Sequence, residues 1–216
     1  ALLELLFGPV WGGISDHTGR KPILLLGLLG YALAALLFGL STEVWMLFAS
    51  RALSGVLSAA TSATALAYIS DSTSAEDRGW GLGMLGAAIS LGMILGPGIG
   101  GWLGKDMLAL PFFIAAGLSL LALLLSAWLL PESLPESERQ ASGKIRTVQF
   151  SQLWQALFGP VGLLLFLIFL VSFGLTNFEA VFGLYAAQKL DYGPERVGTI
   201  LAVVGIASAV GKATLI

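Results

Sequence analysis

The chain has 216 residues with 11 Lys and Arg against 13 Asp and Glu; 56% of it is hydrophobic and only 11% charged. Together with a mean hydropathy of +0.89, this excludes an ordinary soluble domain and points to a polytopic membrane protein. The absence of cysteine and the single histidine, His17, exclude disulfides, thiol chemistry and a multi-His or Cys-based metal site, so no metal or cofactor is expected.

Seven apolar segments follow in chain order, at about 1–15, 23–41, 44–70, 80–104, 108–130, 160–187 and 196–216, with lengths suited to helices across a ~30 Å hydrocarbon core. The expected fold class is therefore an all-α membrane bundle. Its expected partner is the lipid bilayer, and no nucleic acid is expected because no basic patch is exposed. The chain begins at Ala1 and stops at Ile216 inside apolar segments, which reads as part of a longer membrane protein. Lys and Arg divide six (Arg20, Lys21, Arg78, Arg139, Lys144, Arg146) against three (Lys105, Lys189, Arg196) between alternate connections. By the positive-inside rule, the connections at 16–22, 71–79 and 131–159 are cytoplasmic. Trp45, Trp80, Trp102 and Trp128 lie near segment ends as interface anchors.

The first segment carries Glu4, which lies 12 residues before Asp16 and so about 18 Å from it along a helix. The connection Gly12-Gly-Ile-Ser-Asp16-His-Thr-Gly19-Arg20-Lys21-Pro22 turns two helices in a few residues. Gly19 is available for a positive φ, and Pro22 is placed to open the next helix at its first position. Asp16 and Arg20 can clamp neighbouring helices by charge, with Asp71 and Arg78 at the ends of the next spans as partners.

The third segment contains Arg51-Ala-Leu-Ser-Gly55-Val-Leu-Ser-Ala59. Arg, Gly and Ala four residues apart share a helix face, so the guanidinium lies above a small-residue groove. A buried arginine keeps its proton; it needs a carboxylate or carbonyl partner, or it biases a nearby acid toward ionisation.

The 26 residues between Arg78 and Lys105 carry no charge and contain Gly92-Met-Ile-Leu-Gly96-Pro97-Gly98-Ile-Gly100-Gly101. In a bilayer such a helix is tolerated because its surroundings re-satisfy freed backbone groups. Gly92, Gly96 and Gly100 present a bare face for close packing, with a kink expected near Pro97. Two matches to G-x-G-x-x-G, at Gly81–Gly86 and Gly96–Gly101, follow no strand and lack the acid about 20 residues on, so no dinucleotide site is expected. No hydrolase motif occurs, and no enzyme is expected.

Residues 131–159 form the one long connection, from Pro131-Glu-Ser-Leu-Pro135 through Lys144 and Arg146 to an amphipathic stretch at 147–158 that suits the membrane interface. Beyond it, Glu179 lies in the sixth segment. With Arg51 and Glu4 it occupies one layer, from mid-membrane to about 10 Å toward the outside. Ionisable groups at that depth face a cavity or a partner. Glu179 and Glu4 each read as a carboxyl that binds a proton or an organic cation, but not both at once, or as a structural hydrogen bond to a neighbouring helix. Phe182 shares the face of Glu179, and Phe178 and Tyr185 form an adjacent stripe; beside an acid they hold a flat cation, or they pack against lipid and helices.

These motifs carry a resemblance. Gly12-x-x-x-Asp16-x-x-Gly19-Arg20-Lys21 resembles the loop 2–3 signature of the major facilitator superfamily. Arg51-x-x-x-Gly55-x-x-x-Ala59 resembles its helix-4 motif, and Gly92-x-x-x-Gly96-Pro97-x-x-Gly100-Gly101 the helix-5 motif of its drug:proton antiporters. Phe173-Gly-Leu-Thr-Asn177-Phe-Glu179-Ala-Val-Phe-Gly-Leu-Tyr185 is similar to helix 7 of bacterial quinolone and multidrug efflux pumps, related to the tetracycline exporters.

The resemblance implies helices 2–8 of a twelve-helix bundle. Residues 1–130 would belong to the N-terminal half, 131–159 would be the central cytoplasmic loop, and 160–216 would begin the C-terminal half. It implies export of lipophilic or cationic small molecules in exchange for protons by alternating access, in a protein that is a monomer when full length and uses a proton gradient rather than a cofactor. Arg51 would assist proton coupling, Glu179 would bind a proton or cation, and Asn177 would join the aromatic residues in the substrate cavity. Gly96-Pro97 would shape the helix that seals one state. Asp16, Arg20 and Asp71 would stabilise the outward-open state. His17 stands where the family usually has arginine, which implies a weaker, pH-sensitive clamp. The alternative expectation is a symporter or uniporter of a sugar or organic acid in the same superfamily, or a non-transporting relative.

Overall fold

A computed structural model describes residues 2–141, 158–159 and 162–214, and no strand occurs among them. Its helices are α1 (Leu2–Thr18), α2 (Arg20–Gly39), α3 (Val44–Ser72), α4 (Arg78–Leu103), α5 (Leu110–Leu129), α6 (Glu136–Ala141), α7 (Gly162–Leu190) and α8 (Pro194–Thr214). The seven long helices fall on the seven apolar segments. Their ends fall where the sequence breaks the apolar pattern: Gly19 before α2, Glu43 before α3, extended Thr73 after it, and Pro111 in the first turn of α5. The amphipathic stretch expected at 147–158 lies outside the described residues apart from Phe158.

Among the described residues, five helices, α2, α3, α4, α5 and α7, are long and apolar enough to cross a membrane. The other two long helices are α1, with 17 residues, and α8, the least apolar, with Glu195 in its first turn. The helix α4 is unbroken from Arg78 to Leu103 although Pro97 lies inside it.

The chain divides into two compact units, residues 1–93 with 106–147, and residues 94–105 with 148–216. In the first, α2 packs on α3 and α5, and α1 packs on α3. Ile23, Leu24, Ala32, Ala34 and Ala35 of α2, Ala59 and Ala60 of α3, and Ala116 of α5 are buried. Lipid provides no hydrophobic drive for helices to associate, so small residues and interhelical hydrogen bonds hold them together. A methyl group at Gly27 would collide with Thr61, and one at Gly30 with Leu57, so α2 and α3 meet nearly backbone to backbone. Ser119 Oγ donates to the Leu28 carbonyl (2.8 Å), joining α5 to α2, and Trp11 Nε1 donates to the Val56 carbonyl (2.7 Å), joining α1 to α3. Trp45, Trp80, Trp102 and Trp128 are exposed.

In the second unit the end of α4 packs on α8. A methyl at Gly198 would collide with the Pro97 carbonyl and stand 3.0 Å from the Gly101 Cα, and one at Gly101 would stand 3.0 Å from the Gly198 Cα. Gly98 faces Ala202, and Gly205 faces Ile94. The close approach therefore uses Ile94, Gly98 and Gly101. Among the described residues, nothing lies within 4 Å of a methyl at Gly92, Gly96 or Gly100, so the row expected to pack is not the one that meets α8. The bulky Ile94 can face α8 because Gly205 opposite it leaves room.

Candidate functional site

A polar cluster joins the ends of α1 and α3 to the start of α2. After α1 the chain turns at Gly19, with φ +104°, and the Gly19 N–H donates to the Ser15 carbonyl at 3.1 Å. The turn puts Arg20, the first residue of α2, against the last turn of α1. Its guanidinium is nearly buried: Nη1 lies 2.5 Å from Asp16 Oδ1 and 2.7 Å from Ser15 Oγ, and Nε lies 2.9 Å from Asp71 Oδ2 at the end of α3. Ser15 is fully buried and donates to the Gly12 carbonyl (2.7 Å), which leaves its lone pairs for Arg20. One guanidinium thus ties three helices by charge-assisted bonds, for which the arginine fork is suited.

Two residues expected near this clamp use their side chains on backbone carbonyls instead. Arg78 donates to the Ser70 carbonyl (3.2 Å), and Lys21 Nζ to the Ala127 carbonyl of α5 (2.7 Å). His17 makes no hydrogen bond or ion pair among the described residues.

A carboxylate that sequence reasoning missed completes the cluster. Glu132, beyond α5, accepts from the backbone N–H of Arg20 (2.8 Å), Lys21 (3.2 Å) and Leu134 (3.1 Å). Arg139 Nη2 lies 3.8 Å from it. Because α2 starts at Arg20, Pro22 stands at the third helical position rather than the first. No local pattern links Glu132 to a helix more than a hundred residues earlier. The sequence signal was indirect: a helix whose cap position is Gly19 has no side chain of its own to accept its first N–H groups.

Arg51 and Glu4 have separate partners. The Arg51 guanidinium lies 5.1 Å from the centre of the Phe38 ring, beside a cavity of about 60 Å³ lined by Tyr31, Ser50, Ser54 and Phe112 among others. Arg51 is exposed and meets an aromatic face, with no carboxylate or carbonyl bonded to its guanidinium among the described residues. Glu4 is exposed and accepts from Ser62 Oγ at 3.4 Å. Leu3 covers Gly55, so α1 fills the groove below Arg51.

In the second unit Glu179 is exposed on α7 and makes no hydrogen bond or ion pair among the described residues. Phe178 and Phe182 stack with centroids 5.4 Å apart, so the aromatic pair runs along that row rather than from Phe178 to Tyr185. Tyr185 is exposed, and Asn177 Nδ2 donates to the Phe173 carbonyl (2.8 Å). One turn beyond Glu179, Gly183 lines an apolar cavity of about 360 Å³ with Ala187, Pro97, Gly101, Val197 and Leu201. No group of three or more His, Cys, Asp or Glu that could hold a metal occurs among the described residues.

Comparison with known proteins gives a consistent likeness. The family model described as Major Facilitator Superfamily matches residues 1–216. The chain is 35% identical to Multidrug resistance protein 2 of Bacillus subtilis (strain 168), over 97% of this chain and 53% of that protein. It is 34% identical to the class B tetracycline resistance protein of Escherichia coli, over 99% of this chain and 53% of that protein. Among solved structures, it resembles the human organic anion transporter MFSD10 (TETRAN) with a TM-score of 0.63 and 26% identity, covering 95% of this chain and 52% of that one. The chain spans about half the length of the curated relatives it matches.

Proposed function

The chain belongs to the major facilitator superfamily and is a multi-pass protein of the cell membrane; from that premise we propose that the protein carrying it exports lipophilic, often cationic, small molecules in exchange for protons by alternating access. The observation that carries this proposal is the likeness, over nearly the whole chain, to proteins named for multidrug and tetracycline resistance.

The chemistry of the site supports it. Glu179 has no partner among the described residues and stands beside a stacked aromatic pair. A carboxylate there attracts an organic cation, the Phe178 and Phe182 rings hold its flat face, and a proton taken by the same carboxyl removes that attraction. Occupation by one ligand at a time is what exchange requires. Glu4, which accepts from Ser62 Oγ, is a second acid for the exchange, and Arg51 assists the coupling. The clamp of Asp16, Arg20 and Asp71, on the cytoplasmic side with the connections at 16–22, 71–79 and 131–159, stabilises the outward-open state. Pro97 and Gly101, at the close contact with Gly198, belong to the surface that seals a state. The driving force is the proton gradient, with no cofactor and no catalysis, and the working protein is a monomer.

A second reading, transport of an organic anion, is favoured by the likeness to MFSD10. It would draw on the Arg51 cation rather than on Glu179. In proteoliposomes, Glu179→Gln is expected to cut pH-driven efflux of a lipophilic cation at least about tenfold with expression intact. Undiminished efflux in that variant would remove Glu179 from the coupling, and export of anions alone would select the second reading.

A further inference from the structure

We propose that Glu132 is the N-cap of α2 and, through that cap, a positioning residue for the Arg20 clamp. A helix begins with N–H groups that have no partner inside it, and a side chain just before the helix normally accepts one of them. In α2 that position is Gly19, which has no side chain, and Pro22 in the first turn has no N–H. Of the first three helical residues only Arg20 and Lys21 present a free N–H, and both point at the one carboxylate of Glu132, at 2.8 and 3.2 Å. The negative charge also sits on the positive end of the helix dipole.

The carboxylate is itself held. It accepts from the Leu134 N–H at 3.1 Å and lies 3.8 Å from Arg139. Arg139 in turn donates from Nε and Nη2 to the Leu134 carbonyl, at 3.0 and 2.9 Å. Leu134 is buried, and Tyr68 of α3 donates to the Pro131 carbonyl at 2.8 Å. The segment 131–139 is therefore fastened across the ends of the helices that Arg20 ties together. Arg20 is gripped twice, at its backbone N–H by Glu132 and at its guanidinium by Asp16 and Asp71. Without the first grip the opening turn of α2 frays and the guanidinium loses its fixed origin. Capping stands on geometry alone; its consequence for the transport cycle rests on the reading given above.

The test is amide hydrogen exchange together with transport, on the reconstituted protein that carries this chain. In Glu132→Ala the amides of Arg20 and Lys21 are expected to exchange about five- to tenfold faster. Substrate turnover falls while KM stays within about twofold, and Asp71→Asn added to Glu132→Ala produces no further loss, because both act on the same guanidinium. Glu132→Gln keeps an acceptor oxygen but no charge, and is expected to retain at least half of the protection and turnover. If Glu132→Ala does not yield folded protein, the glutamine variant decides: exchange there more than about fivefold faster than in the wild type would mean that Glu132 acts through its charge and not as a hydrogen-bond acceptor capping α2. Unchanged exchange in Glu132→Ala, or losses that multiply with Asp71→Asn, would also overturn the proposal. A wild-type protein that moves no substrate would refute the transport reading and leave the exchange result to judge the cap by itself.

Discussion

At Gly19 the backbone takes φ +104° between two helices, and a methyl group there would stand 2.5 Å from Glu132 Oε2 and 3.3 Å from Arg139 Cζ. Gly19→Ala therefore meets two obstacles at once, a conformation that L side chains rarely adopt and a carboxylate in the way. It is expected to destabilise the protein by about 1–3 kcal/mol, read as a lowered Tm in detergent, and to release the Arg20 guanidinium from Asp71. An unchanged Tm would show that the turn relaxes around the methyl. Asp16, Arg20 and Asp71 could be named from sequence because charged residues at fixed spacing beside apolar segments stand out. Ser15 could not, since a serine among small residues gives no sign that its hydroxyl will be buried against a guanidinium. Phe38 was equally hidden, because cation–π contacts depend on how two helices cross rather than on spacing within either.

Among the elements, α4 poses a question of faces. Its glycines at 92, 96 and 100 look from spacing alone like the packing row, yet the contact with α8 runs through Gly98 and Gly101, with Gly198 opposite. The spacing rule finds small residues but not which of several small rows meets a partner, and in a helix this rich in glycine more than one row qualifies. The contrast is measurable. Gly101→Ala places a methyl against Gly198 and the Pro194 carbonyl and is expected to cost about 1–3 kcal/mol through overpacking. Gly100→Ala meets nothing within 4 Å among the described residues and, since alanine favours helix over glycine by up to about 1 kcal/mol, should be neutral or slightly stabilising. Thermal unfolding of the two variants side by side decides it; equal losses would mean that both rows are packed.

For the whole molecule, the fold was largely legible because lipid imposes a simple demand: each crossing needs an apolar run long enough to satisfy its backbone internally. The helices lie within a few residues of the apolar segments, and only their ends shifted, as where α2 begins at Arg20 rather than 23. The site was legible in its charged members and not in the contacts that tie distant segments, of which Glu132 on α2 is the clearest case. The proposed exchange depends on how acids and aromatics respond to a proton gradient. The decisive measurement is flux of a lipophilic cation in proteoliposomes bearing the protein with an imposed pH gradient. The cation is expected to leave the compartment that protons enter, with flux collapsing when the gradient is dissipated. Movement of substrate and protons in the same direction, or flux indifferent to the gradient, would contradict the proposed exchange.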